Sequence, residues 1–194
     1  MITPIPVQRL SSSARAAYLE HLLALDAEDR RLRFGVPLSS AAIAGYVDRI
    51  DFDRDSLFAV HGNALALEGV AHLALGSELA ELGLSVLPRA RREGIGGALI
   101  RRAAEYAGNR SITHLYVYCL AENSGMVRLA RQAGMHVVQE DGDADAHLLL
   151  PAATVLSITS EFIAERVALL DFALKSNVET WRRVGVAFAQ SSTM

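Results

Sequence analysis

Gly94, Gly96 and Gly97 stand in the run ARREGIGGAL (90–99), between a strand-like stretch and the first turn of a helix. A helix start exposes backbone N–H groups without partners, together with the positive end of the helix dipole. Glycines let that backbone close on an anion, and Arg89, Arg91 and Arg92 add positive charge beside it. A pyrophosphate suits such a turn. Two other readings stay open: the turn of a dinucleotide-binding βαβ unit, or a helix that merely begins with flexible glycines. The dinucleotide fingerprint would place its third glycine at Leu99, and the strands ahead of the turn form a meander instead of opening a βαβ unit. No Gly-Lys-Ser/Thr occurs anywhere, which excludes a P-loop.

Other residue types offer chemistry with less support. Glu81 in ELAELGLSVL (78–87) alternates with Ala80 and Leu82. It is a proton acceptor if partial burial raises its affinity for protons, and otherwise an ordinary solvated strand residue. Tyr116 and Tyr118 share one face of a strand, where they pack or where one donates a proton. Cys119 lies mid-strand with no histidine nearby and reads as a small hydrophobe. The six histidines (21, 61, 72, 114, 136, 147) show neither His-x-His nor HExxH spacing, so no metal is expected.

The elements that must hold these residues follow from periodicity. Residues 4–10 read as a strand, Ser11 to Ser13 as a cap, and Ala17, Tyr18, Leu22 and Leu25 as a helical face. AEDRRLRFG (27–35) is a charged run ending at a glycine. Ile43, Tyr46, Val47 and Ile50 mark a second helix capped by Ser39 or Ser40. Residues 56–62, 64–75 and 78–87 form an antiparallel meander that Pro88 ends. A glycine-rich turn leading into an amphipathic helix within 90–108, a strand over 113–120, a helix over 123–134 and a hairpin of 135–140 with 145–150 complete an α+β, mostly antiparallel mixed sheet flanked by helices.

At 194 residues the chain is long enough for one domain, read as 1–150, plus an appendage, 151–194. In the appendage Ile163, Val167, Leu170, Leu174 and Trp181 step by about 3.5 residues. Either two amphipathic helices broken near Ser176-Asn177 pack on the domain, or one helix pairs with a second copy to make a homodimer. Net charge of −3 argues against a nucleic-acid surface. A single cysteine fits a reducing cytoplasm, and neither a signal peptide nor a membrane segment is expected.

Arg91-Arg92-Glu93-Gly94-Ile95-Gly96 resembles the Arg/Gln-x-x-Gly-x-Gly/Ala motif of the GNAT superfamily of acyl-CoA-dependent N-acyltransferases. AELGLSV (80–86) is similar to that family's fourth strand, and NSGMVRLARQAGM (123–135) to its later motif, with Met135 in place of phenylalanine. The resemblance covers roughly residues 3–150. It implies that the amides of Arg92, Glu93, Gly94, Ile95, Gly96, Gly97 and Ala98, with the charge of Arg91 and Arg92, hold the pyrophosphate of acetyl-CoA or another acyl-CoA. It implies that Leu84, Ser85 and Val86 pair with the pantetheine arm, that Asn123 hydrogen-bonds it, and that Glu81 is the general base. It also implies that strands four and five splay apart around the cofactor. The family's tyrosine, which protonates the leaving thiolate, is replaced by Ala130. A thiolate leaves near neutral pH with little help, so this does not exclude catalysis.

The expected protein is a cytoplasmic N-acetyltransferase passing an acetyl group directly to a primary amine: a small amine, an amino-acid derivative or a protein lysine. AEDRRLRFG and LAENSGMVRLARQAGM further resemble the acetyltransferase part of bacterial protein-lysine acetyltransferases. The alternative is an acyl-CoA-binding sensor or interaction module without catalysis.

Overall fold

Pro4 and Pro6 cannot donate to a ladder, and the first strand, β1, is confined to Gln8–Leu10 within the expected 4–10. It pairs antiparallel with β2 (Asp55–His61), which continues into β3 (Leu67–Leu75) and β4 (Leu79–Val86) as the meander read from the sequence. The computed structural model describes residues 4–191, with side chains through residue 180. β5 (His114–Leu120) joins β4 in parallel, and β7 (Asp143–Leu149) lies between β5 and β6 (His136–Glu140). The seven-stranded order is β1-β2-β3-β4-β5-β7-β6, and β4–β5 is the one parallel pair among the described residues.

Alternation along β2 sends Phe58 and Val60 to one face, Leu57 and Ala59 to the other, and both faces are covered. On the first face α4 (Ile95–Gly108) and α5 (Ser124–Gln132) bury Leu99, Ile100, Ala103 and Val127. On the second, α1 (Arg15–Leu23) and α3 (Ser40–Asp48) bury Tyr18, Leu22, Ile43 and Val47. Each large apolar side chain buried this way contributes about 1.5–3 kcal/mol. Gly69 on β3 lets α4 settle close, because a Cβ there would lie 2.5 Å from Ile95 Cγ2.

The charged run after Leu25 has no apolar stripe, yet it folds as a helix, α2 (Ala27–Phe34). The Asp26 carboxylate caps it by accepting the Asp29 N–H at 2.7 Å, Glu28 pairs with Arg31 one turn on, and Gly35 ends it at φ 76°.

The appendage differs from the pair of packed helices that was one of its expected forms. It is one unbroken helix, α6 (Val155–Ser191), and not two broken at Ser176-Asn177. Ser157 and Thr154 cap it reciprocally, the Asp171–Lys175 pair supports the turn before the expected break, and the Thr180 hydroxyl bond to the Ser176 carbonyl spans it. It docks on the domain mainly through polar groups. Glu161 receives Asn109 Nδ2 at 2.6 Å and pairs with Arg110 at 3.1 Å, and Lys175 donates to the His61 carbonyl at 2.8 Å. The stripe Ile163, Val167, Leu170 and Leu174 stays 45–67% exposed, so it does not pack down on the domain as expected, while Trp181 lies outside the described side chains. No helix among the described residues is long and apolar enough to cross a membrane.

Candidate active site

The ladder between β4 and β5 has three rungs, Leu79↔His114, Ala80↔Leu115 and Glu81↔Tyr116, and then the strands part. The opening continues as a cleft of about 670 Å³ lined by Leu84, Ser85 and Val86, by the start of α4, by α2, and by α5 from its cap Asn123 to Gln132. Leu87 N–H bonds the Glu68 carbonyl on the β3 side, whereas the Val86 carbonyl accepts Arg91 Nε at 3.0 Å on the other. Backbone groups alternate sides along a strand, so the N–H and C=O of Leu84 face the open edge with no strand opposite. This is an edge a pantetheine amide can extend.

The glycine turn meets the end of β4. Gly94 is the cap of α4 at φ 85°, a conformation that glycine adopts without strain. The first closed helical bond is Ala98 N–H to the Gly94 carbonyl at 3.0 Å. Ile95, Gly96 and Gly97 therefore keep amides with no intrahelical acceptor, while that of Ala98, expected among the donors, is already engaged. Gly96 carries α5 at close range, since a Cβ on it would sit 2.7 Å from Leu129 Cδ2.

The arginines divide their work differently from the expectation. Arg91 reaches back, bonding the Val86 carbonyl and pairing with Asp29 of α2 at 2.6 Å. Arg89 stands 3.8 Å from Glu68. Arg92, in the left-handed region at φ 66°, lines the cleft with no carboxylate in ion-pair reach among the described residues. Asn123 caps α5 by accepting Met126 N–H at 3.1 Å, and its Nδ2 makes a long 3.4 Å bond to the Leu32 carbonyl.

Glu81 sits at the apex where the strands part, but it is exposed, and the partial burial that its role as a base was expected to draw on is not there. It borders the cleft without lining it. Tyr116 and Tyr118 do not pack into the core: they are 40% and 50% exposed, on the same face as Glu81. Tyr116 stacks with His114 and lies beside His147, and Asp143 beside Tyr118 pushes its hydroxyl up. Cys119 is buried, which pushes its thiol up and keeps it unreactive. Ala130 is buried in the core and not turned to the cleft.

Helix α2 supplies what the sequence did not disclose: Asp29, Leu32 and Arg33 make up much of one wall. Behind it runs a chain of polar groups with assignable directions. Arg33 Nη2 donates to the Tyr46 hydroxyl at 3.4 Å, Tyr46 lies 2.5 Å from His72 Nδ1, and His72 Nε2 lies 3.1 Å from Asp55 Oδ2. A carboxylate only accepts, so Nε2 carries the proton and Nδ1 receives that of Tyr46. His21 is fixed by the same logic: Nδ1 donates to the Leu67 carbonyl at 2.9 Å and Nε2 accepts from Ser85 Oγ at 2.8 Å. That bond ties α1 to the cleft strand.

Burial holds His21 down to about 4 from the ordinary 6.5, and lowers His72 also. Between those values the unfolded chain binds a proton that folded His21 refuses, so stability falls as pH falls from 6.5 towards 4. The expected loss from His21 is about 2–3 kcal/mol by pH 4.5. Urea unfolding at pH 7 and pH 4.5 checks it. His21→Gln should show a flatter pH dependence, and an unchanged slope would remove the assignment.

A splayed parallel pair, an open strand edge and an uncapped helix start converging on one cleft define a class of acyl-CoA-handling folds. The model of the acetyltransferase (GNAT) family matches residues 14–135, and the chain belongs to that family. It is an acetyl-CoA-dependent N-acetyltransferase. Among solved structures it is similar to the GNAT domain of S. lividans PAT (TM-score 0.65, 20% identity, covering 74% of this chain and 89% of that one). It also resembles the spermidine N-acetyltransferase of Vibrio cholerae in complex with CoA and spermine (0.59, 18%, 74% and 94%). The ribosomal-protein-S18-alanine N-acetyltransferase of Escherichia coli is a third (0.54, 18%, 77% and 94%). Identities this low carry the fold alone. No curated protein matches by sequence.

Proposed function

We propose that the chain transfers an acetyl group from acetyl-CoA directly to a primary amine in the cleft between β4 and β5. The observation that carries this is the parting of the strands after Glu81↔Tyr116, which opens the Leu84 edge onto the start of α4. The pyrophosphate falls to the amides of Ile95, Gly96 and Gly97 and to Arg92, with Arg91 bracing the turn against Asp29. Leu84 to Val86 offer the backbone pairing for pantetheine. Asn123 Nδ2, held only by its long bond to Leu32, offers a further donor. A backbone N–H of this strand edge polarises the thioester carbonyl. Glu81, at the apex, accepts the proton of the incoming ammonium through water. The nitrogen forms the new bond to the carbonyl carbon and gives its second proton to water, the carbon–sulfur bond breaks, and the thiolate leaves and takes up a proton from water.

The alternative, an acyl-CoA binder without turnover, draws on the buried Ala130 and the exposed Glu81. Two measurements separate the readings. Acetyl-CoA at 100 times its Kd should raise the melting temperature by about 5–10 °C, from about 2.7 kcal/mol of linkage. Free CoA thiol should then appear when a panel of amines is added. A shift without thiol release favours the binder, and no shift at millimolar acetyl-CoA overturns both.

A further inference from the structure

Arg33 is the one cation of the cleft wall that is shielded from solvent and has no opposite charge among the described residues; Arg92 and Arg128 also lack one but stand exposed. Two arginines near it are matched: Arg31 with Glu28 and Glu122, and Arg91 with Asp29. Among the described residues no carboxylate lies within ion-pair distance of Arg33. Its guanidinium is held by the neutral phenols of Tyr46 and Tyr18, over the ring of Phe34, and its Nε is buried with no partner. The closest anion along the hydrogen bonds is Asp55, two neutral side chains away through Tyr46 and His72. A buried cation kept this way is costly unless a ligand brings the anion.

Its place along β4 says which ligand. The guanidinium lies over Gly83, and any Cβ at that position would collide with it. Gly83 stands between Glu81, at the apex, and Leu84 to Val86, which lead to the phosphate-binding turn. Glu81, Gly83 and Ser85 share a face, with about 6–7 Å of strand between the first two. Arg33 therefore attends the reacting end of the cleft, where an acyl-CoA carries no formal negative charge. The missing anion must come with the acceptor.

We propose that the acceptor is an amino acid, whose carboxylate pairs with Arg33 while its amine is presented at Glu81. This rests on the acetyl-transfer reading above. It makes Arg33 a specificity-determining residue, because the guanidinium repels polyamines and lysine side chains and attracts a carboxylate. Gly83 is the residue that leaves room for it.

Calorimetric titration of the full chain loaded with CoA, which holds the site without turnover, tests this apart from catalysis. The probes are the proteinogenic amino acids, each matched with the amine left by its decarboxylation. At least one amino acid should bind about 100-fold more tightly than its matched amine, the scale of a buried charge pair. Arg33→Gln should bring that ratio close to one. Gly83→Ala, which evicts the guanidinium while keeping it in the chain, should do the same, so the result does not depend on the folding of one variant. If no amino acid outbinds its amine on CoA-loaded protein, or if the preference survives in a folded variant, the assignment is overturned while acetyl transfer stands. If CoA itself fails to load, both fall.

Discussion

A Gly96→Val protein should lose nearly all of the rise in melting temperature that acetyl-CoA gives the parent. The reason is steric before it is electrostatic. The first atom added at Gly96 would lie 2.7 Å from Leu129 Cδ2 and 3.6 Å from Leu84 Cδ2, and valine adds two more. Either α5 retreats or the first turn of α4 rotates, and the amides of Ile95 to Gly97 no longer converge on one anion. A hundredfold weaker Kd leaves a ligand at 100 times the parental Kd only half-saturating. The linkage then drops from about 2.7 to about 0.4 kcal/mol, a shift of about 1 °C. Overpacking should also cost the unliganded variant about 1–3 kcal/mol. A variant that folds and still shows the parental shift would place the pyrophosphate elsewhere.

Glu81→Gln should reduce kcat by about 100-fold or more while leaving the acetyl-CoA-dependent shift intact. Glu81 stands on the last rung of the β4–β5 ladder, beside the opening and not inside it. In the proposed role it therefore acts on the amine and not on the bound thioester. An ammonium with a pKa near 10 must lose its proton before attack, and an exposed carboxylate reaches it by way of water. Single-turnover rates across pH separate the two roles: a base mutant flattens the profile, whereas a packing mutant lowers it everywhere. Full activity in the variant would shift attention to Tyr116, the residue opposite Glu81 in register.

The parts of this site that could be read from residues alone are those written in backbone-determining types. Gly94, Gly96 and Gly97 announced the helix start, and Pro88 the end of the strand. Alternation and turn signals placed five strands of the sheet within a residue or two and β3 within three. What stayed hidden depends on tertiary contact. Helix α2 has no apolar periodicity, so its wall of the cleft, Asp29 and Arg33 included, was not visible. The local sign was Asp26, three residues ahead of the amide that it caps. The same limit applies to exposure: Glu81, Tyr116 and Tyr118 share a face of the sheet that the helices leave partly open, which no period encodes. At the C-terminus Asn177 interrupts the stripe but not the helix, since one polar residue costs a helix well under 1 kcal/mol.

Lys175, which fastens α6 to the His61 carbonyl and to Asp171, is the one lysine of the chain; the other 18 of its 19 basic residues are arginine. Guanidinium stays protonated at any pH the protein meets and is no nucleophile towards a thioester. The only side-chain amine that the protein presents is already bonded twice. A molecule that keeps an activated acetyl group at hand is thus built almost entirely from cations that the group cannot modify, and its own charge pattern resists the reagent it carries.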